Sequence, residues 1–328
     1  MKNLTVRDLK HTSKGTMEKL EEAGILLIKD LMMFHPNRLA EVVGVSKETA
    51  EKLVERAFDL MEVSEEEKPK AIGLERAEDL EAMEEKLEFL TTGSETLDEL
   101  LHGGFPRGKV TELAGEYGAG KSQACYTALA NAFLPKKEGG LRDGDFDDIG
   151  VIHIDAEHTY SNGRFKEILA EKGLDEGKVL PQLWVGRPKT SHHQETMLKN
   201  LVKVIRDYHV QLITVDSITK LPRTDFEGRG ELYERQRLIL RMVEQLRRIA
   251  ENYNIVVLIT NQVVAKPGTM YGRDKKPIGG HVLAHNVDTR LWLKQSSTNT
   301  RYVEIIDSSW LPPGKVKVAI TKAGIEDE

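Results

Sequence analysis

The stretch "GEYGAGKSQ", residues 115–123, decides the fold. It fits the pattern G-x-x-x-x-G-K-[ST], and it lies between an apolar run, "GKVTELAG" (108–115), and a helix-period run, "KSQACYTALANAFL" (121–134). A strand, a Gly-rich turn and a helix in that order form the setting in which this motif cradles phosphate. Gly115, Gly118 and Gly120 allow backbone N–H groups to turn inward, and the helix start adds its positive dipole end. Glu116, Tyr117, Ala119 and Gln123 complete the loop. Lys121 is expected at the β and γ phosphates as a point charge, and the Ser122 hydroxyl on Mg²⁺. Kinases, helicases, partition ATPases and recombinases share such a loop, so the use made of the nucleotide must be read elsewhere in the chain.

Outward from the loop the pattern repeats. "IGVIHIDAE", "VQLITVDS" and "NIVVLITNQ" are apolar runs of strand length, separated by helix-period stretches such as "HHQETMLKNLVKVIRDY" and "ELYERQRLILRMVEQLRRIAENY". Buried β-branched strands alternating with amphipathic helices predict an α/β fold with a mostly parallel, twisted sheet covered on both faces. "DTRLWLKQ", "RYVEIIDS" and "KVKVAIT" read as strands at the sheet edge. Residues 91–328 therefore form the core. Residues 1–61 read instead as a small all-helical domain of short helices broken by Gly and Pro, with Ser46 placed to cap the run Ala50, Leu53, Val54, Ala57, Phe58. Between them, residues 62–90 carry 11 acidic residues against four basic ones and read as a linker ending in an exposed helix.

Three strand ends supply candidate chemistry. Asp216, closing "LITVD", is placed to hold the Mg²⁺ water shell or, more simply, to cap the next turn. Asp155 and Glu157 follow "VIHI", where alternation along an extended segment would point both to one side. Glu157 is the candidate base that orients or deprotonates water, and Asp155 a supporting residue. Asn261-Gln262 ends the third strand, where ligands sit in parallel sheets. Its amides either meet a γ-phosphate or satisfy loop backbone.

Composition limits the partners. The 328 residues are 30% charged and 39% hydrophobic, with net charge −6 and one cysteine, Cys125. That excludes an intramolecular disulfide framework and a Cys-rich zinc site. No run is long and apolar enough to span a membrane and no signal-peptide core is seen, so a cytoplasmic location is expected, with no membrane partner. An acidic chain can grip nucleic acid only through a local basic cluster. Residues 220–248 and 266–276 contain such clusters, including Arg223, Arg229, Arg235 and Lys266. The later arginines of the first cluster are interleaved with Glu231, Glu234 and Glu244, and also fit a solvated helix face. "SHHQ" (191–194) lacks companions at metal-ligand spacing and reads as loop or helix start.

Taken together, "TTGSETLDELLHGGFPRGKVTELAGEYGAGKSQ", "LITVDSITKLPRTDFEGRGELYERQ", "ITNQVVAKPG", "PIGGHVLAHN" and "DSSWLPPGKVKVAITKAGIED" resemble the RecA/RadA family of DNA strand-exchange ATPases, its archaeal branch above all. The resemblance spans nearly the whole chain. It implies a RecA-type ATPase core behind a helix–hairpin–helix module, with ATP and Mg²⁺ as cofactors. Single- and double-stranded DNA, further copies of the chain in a filament or ring, and recombination mediators are the implied partners. Two loops, after Asp216 and after Gln262, would line the filament axis, giving Arg223, Arg229, Arg235, Lys266, Gly279 and Gly280 a DNA-binding role. Gln262 would sense the γ-phosphate. Arg164 would stack on adenine, while His281, Asp307 and Pro312 would reach the nucleotide from a neighbouring protomer.

The sequence departs from the family pattern at several points. The linker motif that docks into the next subunit offers Leu74 and Ala77, with leucine where the family has phenylalanine. "AEHTYSNGRF" differs from the usual string around Glu157 and Arg164. "LKHTSKGTMEKL" keeps only Gly15 of its hairpin turn, whereas "LAEVVGVSKETAEKLV" keeps Gly44, whose backbone amides could meet a phosphate. The leading expectation is a recombinase that pairs homologous strands. The alternative is a paralog that binds DNA and ATP and modulates a partner recombinase without exchanging strands.

Overall fold

The computed structural model describes residues 4–32, 34–60, 76–78, 81, 85–265, 275–279 and 283–328. Two compact units divide the chain, Met1–Leu87 and Glu88–Glu328. Leu74 lies outside the described residues; Ala77 is exposed in a helical turn.

In the first unit, helices span Lys14–Glu22, Ile28–Met32, Pro36–Val43 and Lys47–Leu60. Ser46 accepts from the Thr49 N–H at 3.2 Å, the cap its sequence position predicts. Ala50, Leu53 and Ala57 on the helix behind it pack with Leu20, Ile28, Leu31 and Leu39 in one small core. Gly15 lies inside the first helix rather than in a turn. Gly44 does turn the chain, at φ +67°, but the Gly44 and Val45 amides both donate to the Ala40 carbonyl, at 3.0 and 3.2 Å. The expectation that the Gly44 amide is available for a phosphate is thereby corrected: it closes its own helix.

The second unit begins with β1 (Phe89–Leu90), residues read from sequence as linker, which pairs with β2 (Phe105–Pro106). Its main sheet has nine strands. In chain order they are β3 (Val110–Gly115), β4 (Gly150–Asp155), β5 (Leu183–Gly186), β6 (Val210–Asp216), β7 (Val256–Asn261), β10 (Thr289–Gln295), β11 (Thr300–Ser308), β12 (Lys315–Thr321) and β13 (Gly324–Asp327). Between β7 and β10, β8 (Val263–Ala265) and β9 (Lys275–Pro277) form a separate antiparallel pair. The sheet order is β13-β12-β11-β10-β3-β7-β6-β4-β5. From β10 to β5 every pairing is parallel; β10 to β13 are antiparallel neighbours.

Every residue of β3, β4 and β7 is buried, as two covered faces require. The chain steps from β3 to β4 to β5 in one direction and returns through β6 and β7. Right-handed crossovers then place the helices Lys121–Asn131 and Asn162–Glu171 on one face, and Ser191–Asp207 and Leu232–Tyr253 on the other. Phe133, Phe165, Leu129, Leu113, Val151 and Leu212 fill the core beneath the first pair. Adjacent strands β3, β7, β6 and β4 therefore release the phosphate loop, Gln262, Asp216 and Glu157 at one carboxyl edge.

The last strand is tied to the first helix of this unit. The Asp327 carboxylate accepts from Ser94 Oγ (2.7 Å), Thr96 Oγ1 (2.6 Å) and the N–H groups of Glu95 (2.8 Å) and Thr96 (3.1 Å). Burial pushes its pKa up, but the hydrogen bonds from Ser94 and Thr96 and from those amides win and hold it at about 2. Because the folded value is depressed, this stabilisation is complete above the unfolded pKa of about 3.9 and is lost as pH falls toward the folded value. Asp327→Asn is expected to lower stability by no more than about 1 kcal/mol at neutral pH, because the carboxylate is solvent-exposed. Urea melts should show the gap to the natural chain closing between pH 4 and pH 2.

Candidate nucleotide and DNA site

The carboxyl edge opens into a cleft of about 1020 Å³ lined by Gly115, Glu116, Tyr117, Gly118, Gly120, Lys121, Ser122 and Gln123 from the loop. Ala119 is buried behind it. A Cβ on Gly115 would come 2.5 Å from the Leu293 carbonyl oxygen, and Gly120 has φ +98°, so two loop glycines are required by packing and by backbone conformation. Lys121 Nζ donates to the carbonyls of Gly115 (2.9 Å) and Glu116 (2.7 Å). Burial lowers its pKa, opposed by Asp216 and Glu157 across the cleft.

Ser122 Oγ donates to Asp216 Oδ2 at 2.5 Å, while Thr260 Oγ1 donates to Asp216 Oδ1 at 2.5 Å. A hydroxyl and a carboxylate thus converge at the cleft floor, with only hard oxygen donors. That set suits Mg²⁺, which takes one or two protein oxygens and completes its octahedron with water and phosphate.

Glu157 also lines the cleft, but not by strand alternation as the sequence suggested. β4 stops at Asp155, and the chain then bends, with the Glu157 N–H donating to the Asp216 carbonyl at 3.0 Å. Asp155 turns away from the cleft: fully buried, it accepts from the amides of Thr159 (2.9 Å) and Tyr160 (3.0 Å) and meets Arg187 Nε at 3.3 Å. It shapes the turn that aims Glu157. The Glu157 Oε1 atom accepts from Ser217 Oγ (2.8 Å) and Gln262 Nε2 (2.9 Å), and Oε2 lies 3.4 Å from Lys220 Nζ. Nothing in the linear sequence marks Ser217 as a site residue, and Lys220, read there as the start of the first basic cluster, stands at Glu157 instead; both follow Asp216 on the turn that carries the chain past Glu157.

Gln262 faces both ways. Its Nε2 holds Glu157, and its Oε1 lies at a long 3.5 Å from Arg223 Nη1. Beneath it, fully buried Asn261 donates to Glu112 Oε1 (2.6 Å) and to the Ile278 carbonyl (2.7 Å), and accepts from Thr219 Oγ1 (2.9 Å). Glu112 is also paired with Arg290 Nε. Burial raises the Glu112 pKa and Arg290 opposes it. One side-chain amide therefore joins the loop after Asp216 to the segment after the second loop.

At the opposite end of the cleft, Arg164 Nε donates to Gln123 Oε1 at 2.9 Å. Its other nitrogens are held by the carbonyls of Thr321 and Lys322 and by Glu167. Asp307 and Pro312 are exposed and lie outside the cleft lining of this chain. Gly280, His281 and Lys266 lie outside the described residues, whereas Gly279 is described, at φ +90°.

Of the basic residues, Arg223 is exposed on the short helix Lys220–Asp225. Arg229 begins the next turn, and Arg235 Nη1 donates to the Phe226 carbonyl at 3.3 Å. Arg241 pairs with buried Glu195 at 2.7 Å and Arg247 with Glu251 at 3.6 Å, so these two belong to helix packing and surface pairing. Lys275, expected in the second basic cluster, instead lines the cleft, with Nζ 2.7 Å from Glu116 Oε2. Cys125 is fully buried, and burial pushes its thiol pKa well up. No helix among the described residues is long and apolar enough to cross a membrane.

Comparison with known proteins gives the family of the chain. Residues 84–328 match the Rad51 family model. A curated relative, the DNA repair and recombination protein RadA of Aeropyrum pernix, is 34% identical over 322 residues, covering 98% of this chain and 96% of the relative.

Proposed function

Because this chain belongs to the Rad51 family, whose general activity is filament assembly and strand exchange in DNA recombination and repair, we propose that its cleft hydrolyses ATP and that nucleotide state sets its grip on single-stranded DNA. The observation that carries this reading is the path from Glu157 through Gln262 to Arg223, which connects the cleft to the first basic loop.

Bound ATP with Mg²⁺ supplies the phosphoryl group and its charge neutralisation. Lys121 contributes a fixed positive charge, and Ser122 and Asp216 would hold the cation. Glu157 takes the proton of the attacking water; Ser217 and Gln262 fix its Oε1, and Lys220 stands 3.4 Å from its Oε2. Gln262 has two amide N–H donors, one spent on Glu157 and one left for a γ-phosphate, while its Oε1 accepts from Arg223. Loss of the phosphate would free that second donor, and the readjustment of the amide would pass to Arg223 in the first loop. Asp307 and Pro312, exposed here, suit a role at the nucleotide of a neighbouring copy.

The test is turnover with and without single-stranded DNA, with Lys121→Ala as control. Stimulation by DNA that the substitution abolishes is expected. Equal turnover in both conditions refutes the coupling. Binding should weaken with salt, and Arg235→Ala should reduce the slope of log K against log[salt] by about 0.7.

The paralog reading is favoured by one observation: Gly15 lies within a helix and the Gly44 amide is occupied, so the first unit offers little for a duplex backbone. Exchange between a circular single strand and a homologous duplex separates the two. Activity supports the recombinase; ATP-dependent binding without exchange supports the paralog.

A further inference from the structure

Arg301 lines the cleft but has no part in the phosphate chemistry, the basic loops or the Arg164 end described above. It sits on β11 with only 7% of its surface exposed. Its Nη1 is spent on the turn before it, donating to the carbonyls of Ser297 (3.1 Å), Thr298 (3.2 Å) and Thr300 (2.9 Å). Its Nε is buried and unpartnered. Nη2 has no partner among the described residues either, and unlike Nε it is not sealed from solvent, which leaves it as the donor available to a ligand of the cleft that Arg301 lines. No carboxylate among the described residues pairs with this guanidinium. Burial alone acts on its pKa, downward. A buried cation without a counter-charge is costly unless an anion completes it.

Position limits which anion. The Arg301 side chain passes Gly120: its Cγ and Nε lie 3.5 and 3.7 Å from where a Cβ on that residue would stand. Ile320 and Thr321, its neighbours on the cleft wall, lead to Arg164 at the far end. Lys121, Ser122, Asp216 and Glu157 mark the reacting end of the cleft. Arg301 therefore stands between the loop and the base end, away from the reacting phosphate.

Resting on the reading of the cleft as a nucleotide site, we propose that Arg301 is a nucleotide ligand whose Nη2 donates to the α-phosphate, the anion common to ATP and ADP. Such a contact holds substrate and product alike. It sets affinity rather than turnover, and keeps ADP in place after hydrolysis.

The experiment measures ATP and ADP affinity by equilibrium binding to the full chain, with thermal melts to confirm folding. A charge-assisted hydrogen bond of this kind predicts that Arg301→Ala weakens both nucleotides about 10- to 100-fold, and by similar factors. KM for ATP should rise in parallel, with kcat moving far less. Arg301→Lys keeps the charge without the planar fork; it should fold and show a smaller loss for both nucleotides. Unchanged affinity for both nucleotides in either folded variant overturns the assignment. So does a loss confined to ATP, which would place Arg301 at the γ end. If the natural chain binds neither nucleotide, the failure lies with the reading of the cleft itself.

Discussion

With Glu157 replaced by glutamine, ATP turnover falls by roughly 100- to 10,000-fold while nucleotide binding persists. Glutamine preserves the shape of the side chain, and its amide oxygen can still accept from Ser217. What it loses is the capacity to take a proton from water. The expected signature is loss of phosphate release in single-turnover assays, with ATP still bound at affinity close to that of the natural chain. Because Glu157 Oε1 also holds Gln262, the variant should remain in its ATP-bound, DNA-gripping state for longer. Anisotropy of a labelled single strand after addition of excess unlabelled DNA would show this as slower release. Undiminished turnover would mean that the base lies elsewhere.

The second large effect is on stability. Arg290→Leu removes the cation beside fully buried Glu112, and a stranded buried charge of this kind costs about 3–5 kcal/mol. Leucine cannot replace the ion pair, although Asn261 still donates to the carboxylate. Glu112 already has its pKa raised by burial, and without Arg290 it rises further. The sign then follows: the folded variant holds its proton more tightly than the unfolded chain. The penalty is smallest below the unfolded pKa of about 4.3 and grows as pH rises through the folded value. Urea unfolding across pH should reveal that trend. The double substitution with Glu112→Leu should recover most of the loss at neutral pH. Equal deficits at pH 5 and pH 8 would contradict the account.

Much of this architecture is legible in the sequence because local signals carry it. β4, β6 and β7 are apolar runs rich in Val and Ile, the phosphate loop after β3 is a fixed motif, and Asp216 and Gln262 stand where such runs end. β5, only four residues long, has no room for a period, and β13 follows β12 by a tight turn at Gly324. Alternation failed at Glu157 because it assumes the strand continues, and the chain bends after Asp155. Arg301 and Lys275 enter the cleft through tertiary placement. Arg301 is brought there by the register of β11 between β10 and β12, and Lys275 by the pairing of β9 with β8. No linear spacing encodes either. The same holds for Glu112, which looks like a polar intrusion in a buried strand until Arg290 is aligned with it on β10.

The Asn261 junction has a consequence for the two segments that it joins. Thr219 and Ile278 are both anchored to one buried amide on the sheet floor, so they act as fixed footings. Asn261→Ala would cut both moorings at a stroke, leaving Thr219, the Ile278 carbonyl and Glu112 each short of a partner in the interior.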